Sequence, residues 1–324
     1  MATTTNSPPT PGPRDTRSKE IRPRRSLLLV VLVAAMASIG IVGGGIVVGR
    51  NISSPPEAQS NSAPSTLSPQ APASPATPAV PPPVDGGPFA TEFDSLAAQL
   101  NATVGIVVRP VGAGPAPVTA GEWNTGTAWS TIKVPLAIAG LRETSPPVVT
   151  DAMRAAITQS DNEAAEAIWQ SLGAPSEAAK KVEAVLADAG APTTVESQKV
   201  RPEFTAFGQT TWSLDDQATF LSSAVCDAGD QPIMDLMGEI TPDQRWGLGE
   251  IPGAKFKGGW GPSPEGNYLV RQFGVIPVRD GSAVVAVAVE PTSGAFDDGT
   301  AALTQIASWL QDHADLLPVG SCPQ

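Results

Sequence analysis

The sequence predicts a mixed α/β domain of the α+β kind: a five-stranded antiparallel sheet flanked by N- and C-terminal helices, with an all-helical lobe inserted into its middle. Three observations predict it. Apolar residues at helical spacing open and close the region 89–312, two strand-like runs precede an Ala-rich helical stretch, and three more strand-like runs follow it. The opening helix rests on Phe89, Phe93, Leu96, Ala97 and Leu100, which share one face of a 3.6-residue period. Residues 104–108 are a β-branched apolar run, and a Gly/Pro-rich turn at 112–117 leads into the short strand "VTA". Helical patterns then cover 131–142, 148–158, 161–172, 176–189 and 213–225. "AKFKGG", "NYLVRQFGVIPV" and "GSAVVAVAVEP" read as three strands, and 299–312 as a last amphipathic helix. The expected partition is one lobe from 89–127 with 252–324 and a helical lobe from 128–251, with a cleft where they meet.

The 34 prolines among 324 residues are too many for one compact domain and concentrate before it. Residues 1–26 are polar and carry six Arg or Lys, and 27–49 run without a charge, long enough to span a bilayer. A basic tail before an apolar span predicts a cytoplasmic N-terminus, a signal anchor at 27–49 and an extracytoplasmic remainder. A cleaved signal peptide ending near Ala35-Met36-Ala37, which would leave a secreted protein, is the alternative. No cysteine in that stretch could carry a lipid. Residues 50–88, rich in Pro, Ser and Ala, cannot bury enough apolar surface to fold and read as a disordered spacer. Of 20 basic and 32 acidic residues, seven and two lie in the first 50, leaving 13 against 30, a net charge of −17. That excludes nucleic acid as a natural partner. Cys226 and Cys322, the two cysteines, lie outside the membrane on this topology, where they can pair; two separate buried thiols are the alternative.

The inventory also restricts the chemistry. His313 is the single histidine, so a histidine-based triad would depend on it, and one His with two distant Cys makes no zinc site. No Gly-rich phosphate loop is present, and no cofactor is expected. A base must therefore be lysine or carboxylate. Ser130-Thr131-Ile132-Lys133 places an amine within reach of a hydroxyl at the start of an apolar helix, whose free N–H groups favour negative charge. An exposed lysine is a poor base near neutral pH, but "VPLAIAGL" is apolar enough to bury this one. Ser130 as an ordinary N-cap is the bland reading. Ser160-Asp161-Asn162 follows, which with Glu163 also reads as a capping box, and then Lys257-Gly258-Gly259 on a strand.

In this order the three triplets resemble the S-x-x-K, S-D-N and K-[S/T]-G signature of the penicillin-recognising serine hydrolases, the class A β-lactamases and D,D-peptidases, in a divergent member of actinobacterial type. The element order of that family matches as well, over roughly residues 89–320. The resemblance implies that Ser130 is acylated after losing its proton to Lys133. It implies that Ser160, supported by Lys257, passes a proton to the leaving nitrogen, and that Asn162 orients Lys133 and binds the substrate amide. The N–H groups of Ser130 and Trp260 would form an oxyanion hole, and Gly258 and Gly259 would leave the strand edge open to an extended substrate.

Three departures qualify this. Gly258 replaces the hydroxyl residue that helps hold a substrate carboxylate, and Arg271 on the next strand is the residue that could compensate. Ser130 and Ser160 are only 30 residues apart, about half the usual separation. Glu196 stands near the place of the hydrolytic glutamate but lacks its surrounding pattern, so efficient β-lactamase action is disfavoured. Trp129 and Trp260 flank the site and could stack on a ligand; Trp169, Trp212, Trp246 and Trp309 read as core. The expected function is a membrane-anchored serine hydrolase acting on a peptidoglycan peptide, a β-lactam or a related amide. The alternative is a catalytically degenerate binding protein for cell-wall fragments or a protein partner.

Overall fold

A computed structural model describes residues 87–279 and 281–323. The expected tail, membrane span and nearly all of the spacer lie outside the described residues. Among the described residues no helix is long and apolar enough to cross a membrane.

The chain runs α1 (Gly87–Ala97), β1 (Ala102–Pro110), β2 (Val118–Gly121), β3 (Thr125–Thr127), a 3₁₀ turn (Trp129–Ile132), then α2 (Lys133–Leu141), α3 (Asp151–Thr158), α4 (Asn162–Ser171) and α5 (Pro175–Asp188). After these come β4 (Thr211–Ser213), α6 (Leu214–Ala224), α7 (Gln231–Leu236), β5 (Lys255–Pro262), β6 (Tyr268–Val278), β7 (Gly281–Pro291) and α8 (Phe296–Asp312). The five-stranded sheet has the order β2-β1-β7-β6-β5, every pair antiparallel. Central β7 is buried along both faces from Ala283 to Val289, which is why its sequence is continuously apolar and does not alternate. Helix α6 packs on β1 and β7, and α8 on β6 and β7. Phe89 and Phe93 of α1 meet Trp309 of α8 edge to face at 5.5 and 5.4 Å.

Strand β5 is an edge, and its free side receives the 3₁₀ turn carrying Ser130. Helix α2 continues from that turn and buries all nine of its residues among its neighbours α3, α4 and α5. A helix apolar all round must lie inside, and its first residue, Lys133, goes in with it. Cys226, just after α6, is bonded to Cys322 near the C-terminus.

Several boundaries differ from the sequence-based expectation for local reasons. The helix expected from 131 opens as a 3₁₀ turn. The one expected from 148 starts at Asp151, because Thr150 is its N-cap, accepting from Met153 N. The last helix begins at Phe296 and runs through Gly299, where a Cβ would come within 2.5 Å of Val270; this glycine admits a close strand and does not end the helix. The two-stranded pair β3–β4 and the short α7 were not anticipated, being too short to show a period.

Candidate active site

The site begins with a backbone constraint. Trp129 adopts a left-handed φ of 49°, a costly conformation for a bulky residue, and the chain turns there so that Ser130 faces the cleft. In the 3₁₀ turn that begins there, positions three apart share one side, which puts Ser130 and Lys133 on the same side of the chain. Thr131, fully buried, donates to Ala128 O at 2.5 Å and accepts from Gln217 Nε2 at 2.8 Å, holding the turn from below.

Lys133 is 1% exposed. Its Nζ donates to Ser160 O at 2.6 Å and to Asn162 Oδ1 at 2.7 Å, and approaches Ser160 Oγ at 3.4 Å. Burial pushes its pKa down to about 7, against a weaker opposing pull from Asp161. Lys257 enters from β5 and is fully buried; its Nζ donates to Ser160 Oγ at 2.9 Å and to Gly258 O at 2.8 Å. Burial first and the Lys133 ammonium second push Lys257 well below the ordinary lysine range. Two amines converge on one serine, so the loss of a proton from the pair relieves both desolvation and repulsion.

Ser160 is not the helix cap. Asp161 is the N-cap of α4, its carboxylate accepting from Ala164 N at 2.8 Å. Ser160 precedes it with a φ of 56°, a strained conformation that turns both its carbonyl and its hydroxyl toward the lysines. The capping-box reading of S-D-N-E fails because the next residue takes the capping role, which releases the Ser160 hydroxyl.

Gly259 shows why the third motif needs glycine. A Cβ there would lie 2.9 Å from both Ser130 N and Thr131 N and 3.0 Å from Ala128 O, all backbone atoms. The strand therefore lies directly against the turn. Phe256 N donates to Met237 O, away from β6, so strand alternation turns the N–H groups of Gly258 and Trp260 toward the same free edge. At Gly258 a Cβ would meet the Trp246 ring at 3.3 Å and Trp260 at 3.6 Å, so an indole wall stands beside the position of the missing hydroxyl. Trp129 and Trp260 both line the cleft, Trp129 largely buried with its ring against Gly261 and edge to face on Phe204 at 4.9 Å.

Two of the candidate residues lie outside the cleft. Arg271 does not reach the cleft: it is fully buried, donating to the carbonyls of Gly126, Thr127 and Trp212 and to Gln217 Oε1 at 2.6–3.2 Å. Because Gln217 in turn donates to Thr131, Arg271 supports the turn carrying Ser130 from two bonds away. Arg271→Met leaves those acceptors without their donor and is expected to cost roughly 2–4 kcal/mol, read as a lower thermal midpoint; an unchanged midpoint would refute the structural role. Glu196 lines a separate depression on the other side of Trp129, and its Oε1 accepts from Gln198 N at 2.7 Å, a local loop contact. The cleft beside Ser130, about 610 Å³, instead contains Glu166 of α4, which the sequence reading did not single out. Its signal was its place one helical turn beyond Asn162.

No family model matches the sequence, and no curated protein does either. Solved structures do match. The chain is similar to the TLA-3 extended-spectrum β-lactamase, with 15% identity and a TM-score of 0.56 over 69% of this chain and 98% of that one. It is also similar to a β-lactamase from Chitinophaga pinensis DSM 2588, with 18% identity and a TM-score of 0.56 over 69% and 98%. A class A β-lactamase from Bacteroides cellulosilyticus DSM 14838 matches with 16% identity and a TM-score of 0.55 over 68% and 95%. At such identities the likeness is one of fold, and the described chain has the fold of the class A β-lactamases.

Proposed function

We propose that this chain, built on the class A β-lactamase fold, is a serine hydrolase that forms an acyl-Ser130 intermediate from a cell-wall peptide, a β-lactam or a related amide. The observation that supports it most is the meeting of Lys133 and Lys257 at Ser160, two buried amines held by neutral oxygens only. A surface lysine needs no such enclosure, and burial without a carboxylate partner makes Lys133 a base near neutral pH. Lys133 takes the Ser130 proton as Oγ attacks the carbonyl. The N–H groups of Ser130 and Trp260 receive the oxyanion, and Ser160 passes a proton to the leaving nitrogen. Asn162 holds Lys133 in place.

Position 258 itself offers no side-chain hydroxyl to a substrate carboxylate, and Arg271 is committed elsewhere. The contribution of the third motif to holding a substrate carboxylate is therefore weakened. The apolar run at 27–49 after a basic tail supports an extracytoplasmic, membrane-anchored placement, where cell-wall peptides are available. Incubating the full-length chain with a fluorescent penicillin and measuring its intact mass tests the reading. A single adduct on the peptide containing Ser130 is expected; no adduct from several acylating probes would favour a binding protein that keeps the fold without the chemistry.

A further inference from the structure

Hydrolysis of an acyl-serine needs a base for the incoming water, and Glu196, the loop carboxylate considered for that role, does not line the cleft. Three other carboxylates line the cleft: Glu163, Glu166 and Glu203. Glu203 is exposed and bonded to Arg201 at 3.0 Å, and Glu163 is exposed on the first turn of α4. Glu166 differs from both. Its side chain is 27% exposed overall, yet its Oε1 is buried and makes no hydrogen bond among the described residues. The nearest cation, Lys199 Nζ, is 3.9 Å away, beyond hydrogen-bond distance. A buried carboxylate oxygen without a donor is costly and leaves the group with unused accepting capacity, and the exposed part of the side chain lines the cleft that also holds Ser130. Positions 162 and 166 are one turn apart on the same helix face, so Glu166 adjoins Asn162, whose Oδ1 is 2.7 Å from Lys133 Nζ.

We infer that Glu166, from helix α4, is the general base that activates water against the acyl-Ser130 ester. The inference rests on the acyl-enzyme reading above. Glu166 takes a proton from the water as the water oxygen bonds to the acyl carbon. Collapse of that adduct breaks the bond between the carbon and Ser130 Oγ, and the proton passes to Oγ. A free acid leaves and Ser130 is restored. The chain then turns over without a glutamate on the loop that follows α5.

The test separates the two steps in the full-length chain with the same fluorescent penicillin. Wild type is expected to gain the adduct and lose it over time. Glu166→Gln is expected to gain it and retain it, with release slowed by about 10²–10⁴-fold. Glu166→Asp, which keeps a carboxylate one methylene shorter, is expected to release faster than Glu166→Gln and guards against a folding defect. Release from Glu166→Gln at the wild-type rate, or an adduct that wild type itself never releases, overturns the role of Glu166 and leaves acylation standing. Absence of any adduct in wild type overturns the acyl-enzyme reading, and the inference with it.

Discussion

Lys133→Met is expected to slow acylation of Ser130 by about 10²–10⁴-fold, the usual contribution of a positioned base. Ser130→Ala, which removes the nucleophile, is the zero reference for labelling. Methionine nearly matches the lysine stem, so packing around α2 is kept while the amine is lost. The pH profile gives a second readout. With a folded pKa of about 7, Lys133 is protonated and unable to accept below that pH, so the wild-type acylation rate should rise with pH through about 7 and then level off. Stability moves with a worked sign. Between pH 7 and 10.5 the folded chain holds Lys133 neutral while the unfolded chain keeps it charged, so unfolding takes up a proton and this lysine's penalty shrinks as pH rises. The thermal midpoint of Lys133→Met relative to wild type should therefore be highest near pH 6 and fall toward pH 10. A flat acylation profile across pH 6–8, or a midpoint difference that does not change with pH, would show that Lys133 is not a buried neutral base.

Gly259→Ala should be nearly as damaging, although it adds one methyl group. That methyl would overlap the backbone nitrogens of Ser130 and Thr131 at 2.9 Å, and no flexible side chain can yield. Either β5 or the nucleophile turn must move, which separates the Ser130 and Trp260 N–H groups. Loss of one such donor typically costs about 10²–10³-fold, and stopped-flow labelling should show a loss of that order. Gly258→Ala is the control, since its methyl meets only the edges of indole rings, 3.3 Å away and beyond. If both variants label at the same rate, close packing of strand on turn does not shape the oxyanion hole.

Most strands and helices were legible in the sequence because their apolar periods are long: β6 and β7 each run 11 residues and α8 runs 17. The pair β3–β4, three residues each, gave no period to read. The three triplets were legible as candidates, but each also had a bland local reading. Ser160 as a cap was refuted by Asp161, a choice made by backbone angles that residue types leave open. Arg271 was a candidate for the substrate carboxylate with its face left open, because a strand has two faces and the chain alone does not say which is enclosed; Gln217 and three carbonyls enclose it. Glu166 carried no sequence mark beyond its spacing from Asn162.

By itself, the sequence determined the order of most helices and strands and offered Ser130, Lys133, Ser160 and Lys257 as candidates for acyl chemistry, since both follow from local spacing and functional groups. Only the tertiary structure decided which hydroxyl is freed, which amine is desolvated and which carboxylate shares their cleft. Those properties depend on dielectric and orientation, and both are set where distant segments pack against one another.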